Sequence, residues 1–342
     1  MAPSSSSAGT ASSPTLSASP SLTEAAARPP LLLILLAFAA VYLIWGSTYL
    51  GIRLATDTMP PFLMAGSRFV LAGAFLYGVL RWRGEAKPPT VAWKDAAIIG
   101  GLLLLGGNGG VSWAQQYVPT GVSALIVASV PLWIVVTDWL RPGGTRPRAT
   151  VMIGLALGFF GVVLMVLGKD SKGHPVVIPL GAAVLVLSTI TWALGSIYSR
   201  HAKLPGSALM GISMQMMAGG GLQLLVGTLL GELPRLRFDL ISATSAWAFV
   251  YLTLIGSLVG FTAYVWLMRT CSPALVSTYA YVNPLVAVAL GSLVLKEPVP
   301  HAMATAGGLI LAAVVLITLT SKRRAKGGDA TQAGGDSLRS SG

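Results

Sequence analysis

The feature that most constrains this chain is the recurrence of long apolar runs. A helix rises about 1.5 Å per residue and the hydrocarbon core of a bilayer is about 30 Å thick, so about 20 apolar residues make one crossing. Such runs return ten times: Leu31–Ile52, Phe62–Leu80, Asp95–Trp113, Thr120–Leu140, Ala149–Gly168, Ile178–Ser199, Ser207–Gly231, Thr244–Met268, Pro273–Leu295 and His301–Thr320. In hydrocarbon, backbone polar groups must be satisfied within the segment, which a helix does. The expected fold class is all-α integral membrane, with ten transmembrane helices. Only 10% of residues are charged, against about 25% in soluble proteins, which excludes a soluble domain.

The formal net charge of +12 would point to nucleic acid if the cations formed one patch. They fall singly or in small groups between the apolar runs instead, so their distribution reads as membrane topology and no nucleic-acid partner is expected. Short cytoplasmic loops carry the excess of Lys and Arg. With a cytoplasmic N-terminus, sixteen of the 23 basic residues fall inside, including Arg81, Arg83, Arg141, Arg200, Lys203 and Arg269. Six fall outside: Arg53, Lys169, Lys172, Arg235, Arg237 and Lys296. Arg68 is left within a span. Both termini are therefore expected in the cytoplasm. Trp82, Trp93, Trp139 and Trp247 lie near span ends, where an amphipathic ring is at home. Residues 1–30, rich in Ser, Ala, Thr and Pro, and the basic segment 321–342 cannot bury enough apolar surface to fold and are expected to be disordered tails. The single cysteine, Cys271, rules out an intramolecular disulfide and a CxxC site.

The two halves of the chain repeat. Gly46-Ser47-Thr48-Tyr49 in the first span matches Gly195-Ser196-Ile197-Tyr198 in the sixth. Leu63-Met64, Ser67 and Ala72-Gly73 match Leu209-Met210, Ser213 and Ala218-Gly219. Val122-Ser123 and Pro131-Leu132 match Val276-Ser277 and Pro284-Leu285. Four matches in order, in corresponding spans, define a repeat. Residues 31–168 and 178–320 are its two units. Five spans per unit is an odd number, so the second unit enters the membrane from the opposite side. Inverted repeats of this kind support alternating access.

Several of these residues also resemble a known family. Trp45-Gly46-Ser47-Thr48-Tyr49 closing the first span, Pro60-Pro61, and Arg68-Phe69 inside the second are similar to the EamA-type drug/metabolite transporter family. The stretches from Gly107-Asn108-Gly109 to Val130-Pro131-Leu132, and from Ser272-Pro273-Ala274 to Asn283-Pro284, look like its YedA-like exporter branch. The resemblance covers roughly Leu32 to Thr320. It implies ten helices in two EamA repeats, a bacterial inner-membrane location, and export of a small metabolite, amino-acid-like solute or drug. The family often carries an acid after the fourth helix of the first repeat; here Arg141 stands in that region, and Glu297 fills the matching place in the second.

Which residues would meet a solute follows from what hydrocarbon penalises. Arg68 is a lone cation in a span, at a cost of about 2.5–3.5 kcal/mol on the gentler insertion scale. It either lines the cavity and pairs with an anionic group of the solute, or it snorkels or bonds helix carbonyls and an acid such as Asp57 or Asp138. Pro131 and Pro284 lie mid-span at matching positions, and paired interruptions of this kind point to a transporter's binding layer, although a packing kink is the alternative. Ser129, Tyr281 and Asn283 lie beside them. Asn108 sits among glycines in the third span and binds either solute or a neighbouring helix. Trp45, Tyr49, Trp192, Tyr198 and Tyr264 could wall a cavity or simply pack. Gly154, Gly158 and Gly307-Gly308 are expected at helix crossings. Asp138 is the acid nearest to mid-membrane and the candidate for proton coupling; without it, transport would run by exchange or facilitated diffusion.

Two other classes compete. A membrane-embedded transferase would need paired acids around a metal or a His–acid base. His174, His201 and His301 fall in loops or at a span end, no Asp-rich motif occurs, and no metal or cofactor is expected. A flippase for lipid or a lipid-linked intermediate uses the same kind of fold and is the alternative reading. The expected partners are a small-molecule solute and the bilayer.

Overall fold

The computed structural model describes residues 30–144, 146–168, 178–271, 273–276, 278–317 and 319. The expected disordered tails lie outside these residues except for Pro30, as do Lys169, Lys172 and His174. The described residues are mostly helical and contain no strand.

Among the described residues eight helices are long and apolar enough to cross a membrane: α1 (Leu31–Ala55), α2 (Pro61–Trp82), α3 (Thr90–Ala114), α4 (Thr120–Leu140), α5 (Ala149–Leu167), α6 (Pro179–Ser199), α7 (Ala208–Leu229) and α8 (Ala243–Thr270). Two shorter apolar helices follow, α9 (Tyr279–Val294) and α10 (His301–Ile317). The stretch expected as one span from Pro273 to Leu295 is divided into a short helix, Pro273–Val276, and α9. The outside of the bundle is hydrocarbon: Leu36, Leu43, Phe75, Phe160, Leu187, Leu225 and Leu293 are all exposed. A water-soluble fold would bury these side chains; lipid solvates them.

Proline and left-handed residues set the helix limits. Pro30, Pro60, Pro89 and Pro119 immediately precede α1 to α4, where a missing N–H costs nothing. At the other ends Gly84, Gly143 and Gly231 take φ of +89°, +76° and +74°, and Lys296 takes +57° after α9. These are left-handed C-terminal turns that reverse the chain. Three of them are followed at once by a glutamate aimed at the N-terminus of a helix in the other half. Glu232, after α7, accepts from the backbone N–H groups of Phe62 (3.3 Å) and Leu63 (2.9 Å) at the start of α2. Glu297, after α9, accepts from Thr120 (3.0 Å) and Gly121 (3.5 Å) at the start of α4. Glu85, after α2, accepts from the Ser207 hydroxyl at 3.1 Å, and Ser207 caps α7 by accepting from the Met210 N–H. The orphan donors of a helix start and its positive dipole end both favour a carboxylate. After α4 the corresponding turn is Gly143-Gly144 and carries no acid.

Helix packing exchanges partners between the halves. α1 lies against α8 and α9, and α6 lies against α3 and α4. α2 lies along α7, and α4 meets α9. Glycine sets these distances. A Cβ on Gly66 would stand 2.8 Å from the Gly220 carbonyl oxygen, and one on Gly100 would stand 2.8 Å from the Gly219 nitrogen. Gly154 and Gly158 of α5 do sit at a crossing, against Ile317 and Ala313 of α10, with Leu132 wedged on Gly158. Gly307 faces Leu125 of α4, whereas Gly308 meets nothing within 4 Å.

Candidate functional site

Arg68 lies on α2 where that helix crosses α7, and only 3% of its surface is exposed. Nη2 donates to Asn108 Oδ1 at 2.8 Å, and the guanidinium carbon sits 4.4 Å from the centre of the Phe69 ring. Nε is buried without a partner. Neither Asp57 nor Asp138 reaches it. Asp57 is exposed at the end of α1, and Asp138 is paired at the end of α4 with Arg141 (2.9 Å) and Arg200 (3.9 Å). One hydrogen bond from a cation to a neutral amide returns about 1.5–3 kcal/mol, comparable to the cost of placing the cation in hydrocarbon before its remaining donors are counted.

The local backbone explains how Asn108 meets Arg68. Between Gly101 and Gly109 α3 widens into a π-helix, and α8 does the same between Leu252 and Val259, the corresponding helix of the other half. π stretches are rare and often mark functional sites, because the wider turn displaces side chains and carbonyls from their usual places. Gly106 and Gly107 let α6 approach: a Cβ on Gly106 would stand 2.8 Å from the Thr191 hydroxyl oxygen, and one on Gly107 would stand 2.6 Å from the Trp192 ring. Fully buried Gln223 of α7 reaches the same stretch and donates to the Leu104 carbonyl at 2.5 Å, while its Oε1 is buried without a partner.

The other expected site residues divide into three groups. Trp45 and Tyr264 join an aromatic cluster with Tyr279 and Phe261, the Trp45 ring lying 5.1 Å, 5.2 Å and 5.2 Å from Tyr264, Tyr279 and Phe261. Phe261 also packs against the core cluster of Phe69, Ala72, Leu104 and Met216, which neighbours Arg68 in sequence through Phe69. Tyr49 packs beside a separate core around Val111, Val122 and Val288. The proline pair interrupts α4 and lies within α9. α4 breaks at Ala128–Ser129 just before Pro131, where buried Ser129 donates to the Ile126 carbonyl at 2.6 Å. In α9, Asn283 beside Pro284 donates to the carbonyls of Tyr42 and Tyr279, both at 3.2 Å, which ties α9 to α1. Tyr281 donates to the Val314 carbonyl of α10 at 3.2 Å. Tyr198 and Asp138 stand apart from these, at helix ends: Tyr198 donates to Asp95 at 2.8 Å, and Asp95 also accepts from the Lys203 N–H.

Sequence reasoning missed Gln223, Phe261, Tyr279 and both π stretches. Gln223 carried a legible signal, an amide inside an apolar run. The π stretches did not, since their glycines read equally as an ordinary crossing. Two apolar grooves of about 370 Å³ run along the outside of α4, α5 and α6, lined by Val162, Val166, Val186 and Leu187, with Trp133, whose buried Nε1 has no partner, on one of them. Among the described residues no cluster of three or more His, Cys, Asp or Glu could hold a metal.

Long apolar helices with lipid-facing surfaces, packed around a buried guanidinium and amide, define a polytopic helical membrane protein with a polar centre. The chain belongs to the EamA-like transporter family, whose profile matches residues 31–167 and 179–319, one copy in each half. It is 39% identical over 285 residues to the uncharacterized inner membrane transporter YedA of Escherichia coli (strain K12), covering 83% of this chain and 90% of that protein. It is 28% identical over 288 residues to Protein PecM of Dickeya dadantii (strain 3937), covering 82% and 92%. The uncharacterized transporter YvbV of Bacillus subtilis (strain 168) is 26% identical over 290 residues, covering 84% and 92%. A solved crystal structure superposes with a TM-score of 0.58 at 22% identity, covering 85% of this chain and 98% of that one, a likeness of fold.

Proposed function

We propose that this chain is a secondary transporter of the bacterial inner membrane that exports a small metabolite, amino-acid-like solute or drug by alternating access. In this reading ten spans form two inverted five-helix repeats, residues 31–168 and 178–320, with both termini in the cytoplasm. The observation that carries it is the exchange of packing partners. α1 lies on α8 and α9 as α6 lies on α3 and α4, while α2–α7 and α4–α9 are self-related pairs. An arrangement preserved on swapping the halves can be repacked by swapping their conformations, which moves a central site from one face to the other. The π stretches in corresponding helices and the paired prolines give each half a place to bend. The candidate solute layer is the crossing that holds Arg68, Asn108 and Trp192 with the neighbouring Trp45 and Tyr264. Asp138, already ion-paired at a helix end, fits a clasp between α4 and α6 better than a proton carrier.

The test is solute movement in proteoliposomes loaded with a mixed pool of amino acids, purine derivatives, sugars and aromatic drugs, with efflux read by mass spectrometry. A carrier gives saturable efflux that is accelerated by the same solute outside. Efflux proportional to concentration and indifferent to external solute indicates a channel. If no soluble compound moves while a fluorescent phospholipid crosses between leaflets, the flippase reading replaces this one.

A further inference from the structure

From the charge inventory of the bundle we infer that the transported solute is a soluble organic anion whose carboxylate binds Arg68; this rests on the carrier reading above. Arg68 lies inside α2, buried, held by a neutral amide, with Nε unpartnered. Every described acid stands at or near a helix end or in a loop: Asp57, Glu85, Asp95, Asp138, Glu232, Asp239 and Glu297. Of these, Glu85, Asp95, Asp138, Glu232, Asp239 and Glu297 already have partners there. Among the described residues no carboxylate therefore pairs with Arg68, and its natural complement is an anion brought by the solute.

The arrangement around the guanidinium suits that task. Asn108 takes one Nη2 donor and the buried Nε donor is left without an acceptor, and a guanidinium's fork of donors matches a planar carboxylate. Gln223 of α7 leaves an unpartnered acceptor, Oε1, beside the same π stretch, which a carboxylate cannot use and only a donor group elsewhere on the solute could meet. The site belongs to one half only. The residue that corresponds to Arg68 in the repeat is Met214, fully buried and neutral. Symmetry of the fold thus does not require Arg68, and packing at its counterpart is met by an uncharged side chain. A solute cation would meet like charge, and a neutral solute would leave the guanidinium unpaired, so both are disfavoured relative to the anion. α3, α7 and α8 pack against α2 and Arg68 itself is buried, while Leu71 and Phe75 of the same helix face lipid, so the choice between a soluble anion and a lipid headgroup falls to the experiment.

The experiment compares carboxylates with their primary amides, matched in size, in wild-type proteoliposomes and in Arg68→Gln, Arg68→Lys and Asn108→Ala. Counterflow is the main readout, and thermal stabilisation of the protein in nanodiscs by each compound is the second. The expected result is at least one carboxylate that exchanges at least about tenfold faster than its amide, a preference lost in Arg68→Gln, partly kept in Arg68→Lys, and weakened in Asn108→Ala. Size-exclusion profiles keep misfolded variants out of the comparison. Exchange of amides as fast as carboxylates in the wild type overturns the anion assignment and leaves the carrier reading intact, as does an Arg68→Gln protein with unchanged preference. Movement of fluorescent phosphatidylglycerol without any soluble exchange overturns both. Silence of every anion in counterflow and in stabilisation alike overturns the assignment.

Discussion

Three consecutive glycines of α7 face three different surroundings, so the same one-carbon addition should have three different outcomes. A Cβ on Gly219 would stand 2.6 Å from the Gly100 carbonyl oxygen and 2.9 Å from the Gly100 Cα. On Gly220 it would stand 2.8 Å from the Gly66 carbonyl oxygen and 2.9 Å from the Val70 nitrogen. On Gly221, which is exposed, it meets nothing within 4 Å. The first two obstacles are backbone, which cannot rotate away, so α3 or α2 must move off α7 by several tenths of an ångström along a crossing that also carries Arg68. Overpacking of this kind costs about 1–3 kcal/mol, and alanine returns up to about 1 kcal/mol over glycine in a helix. Gly219→Ala and Gly220→Ala are therefore each expected to destabilise by about 1–2 kcal/mol, and Gly221→Ala to be neutral or stabilising by up to about 1 kcal/mol. Thermal unfolding in detergent micelles, followed by tryptophan fluorescence on the three variants in parallel, measures the order. If Gly221→Ala melts below either neighbour, or the three cannot be separated, the crossing geometry derived above is wrong.

Three further outcomes follow from the helix ends and the topology. Glu232→Ala strips two charge-assisted bonds from the buried start of α2 and should destabilise by about 1.5–3 kcal/mol, whereas Asp239→Ala, which breaks an exposed pair with Arg237, should change the same melt by less than about 1 kcal/mol. Lys296→Gly relieves a left-handed conformation at the end of α9 and should raise stability by about 1–2 kcal/mol; a lowered melting temperature would contradict the left-handed turn. On a Cys271→Ser background, a cysteine at Arg237 should react with a membrane-impermeant maleimide on intact cells and one at Lys203 should not, and the reverse pattern would invert the proposed orientation.

Apolar runs announce their helices well because hydrocarbon tolerates little else, and all eight long spans lie within a few residues of where hydropathy puts them. Chain reversals are legible for a similar reason, since proline before a helix and glycine after it act locally. The polar centre was legible in part. A lone arginine and a lone asparagine in apolar runs stand out in any reading, yet nothing in their separation of forty residues says that they touch. They meet where α3 runs as a π-helix between Gly101 and Gly109, a stretch on which Gln223 takes the Leu104 carbonyl and α6 closes onto Gly106 and Gly107. A pitch set by neighbours cannot be read from the helix's own residues. Tyr198 shows how repeat mates can differ in surroundings. Its repeat mate Tyr49 packs in a core between helices, but the wedge at position 198 belongs to a helix end, where Asp95 of α3 holds it. Equivalent positions in the two repeats thus do unequal work, and the largest inequality is Arg68 against Met214. Stability alone gives no reason for the charged member of that pair, because the neutral one packs fully buried at the mirrored crossing. The proposed solute carboxylate at Arg68 would supply one.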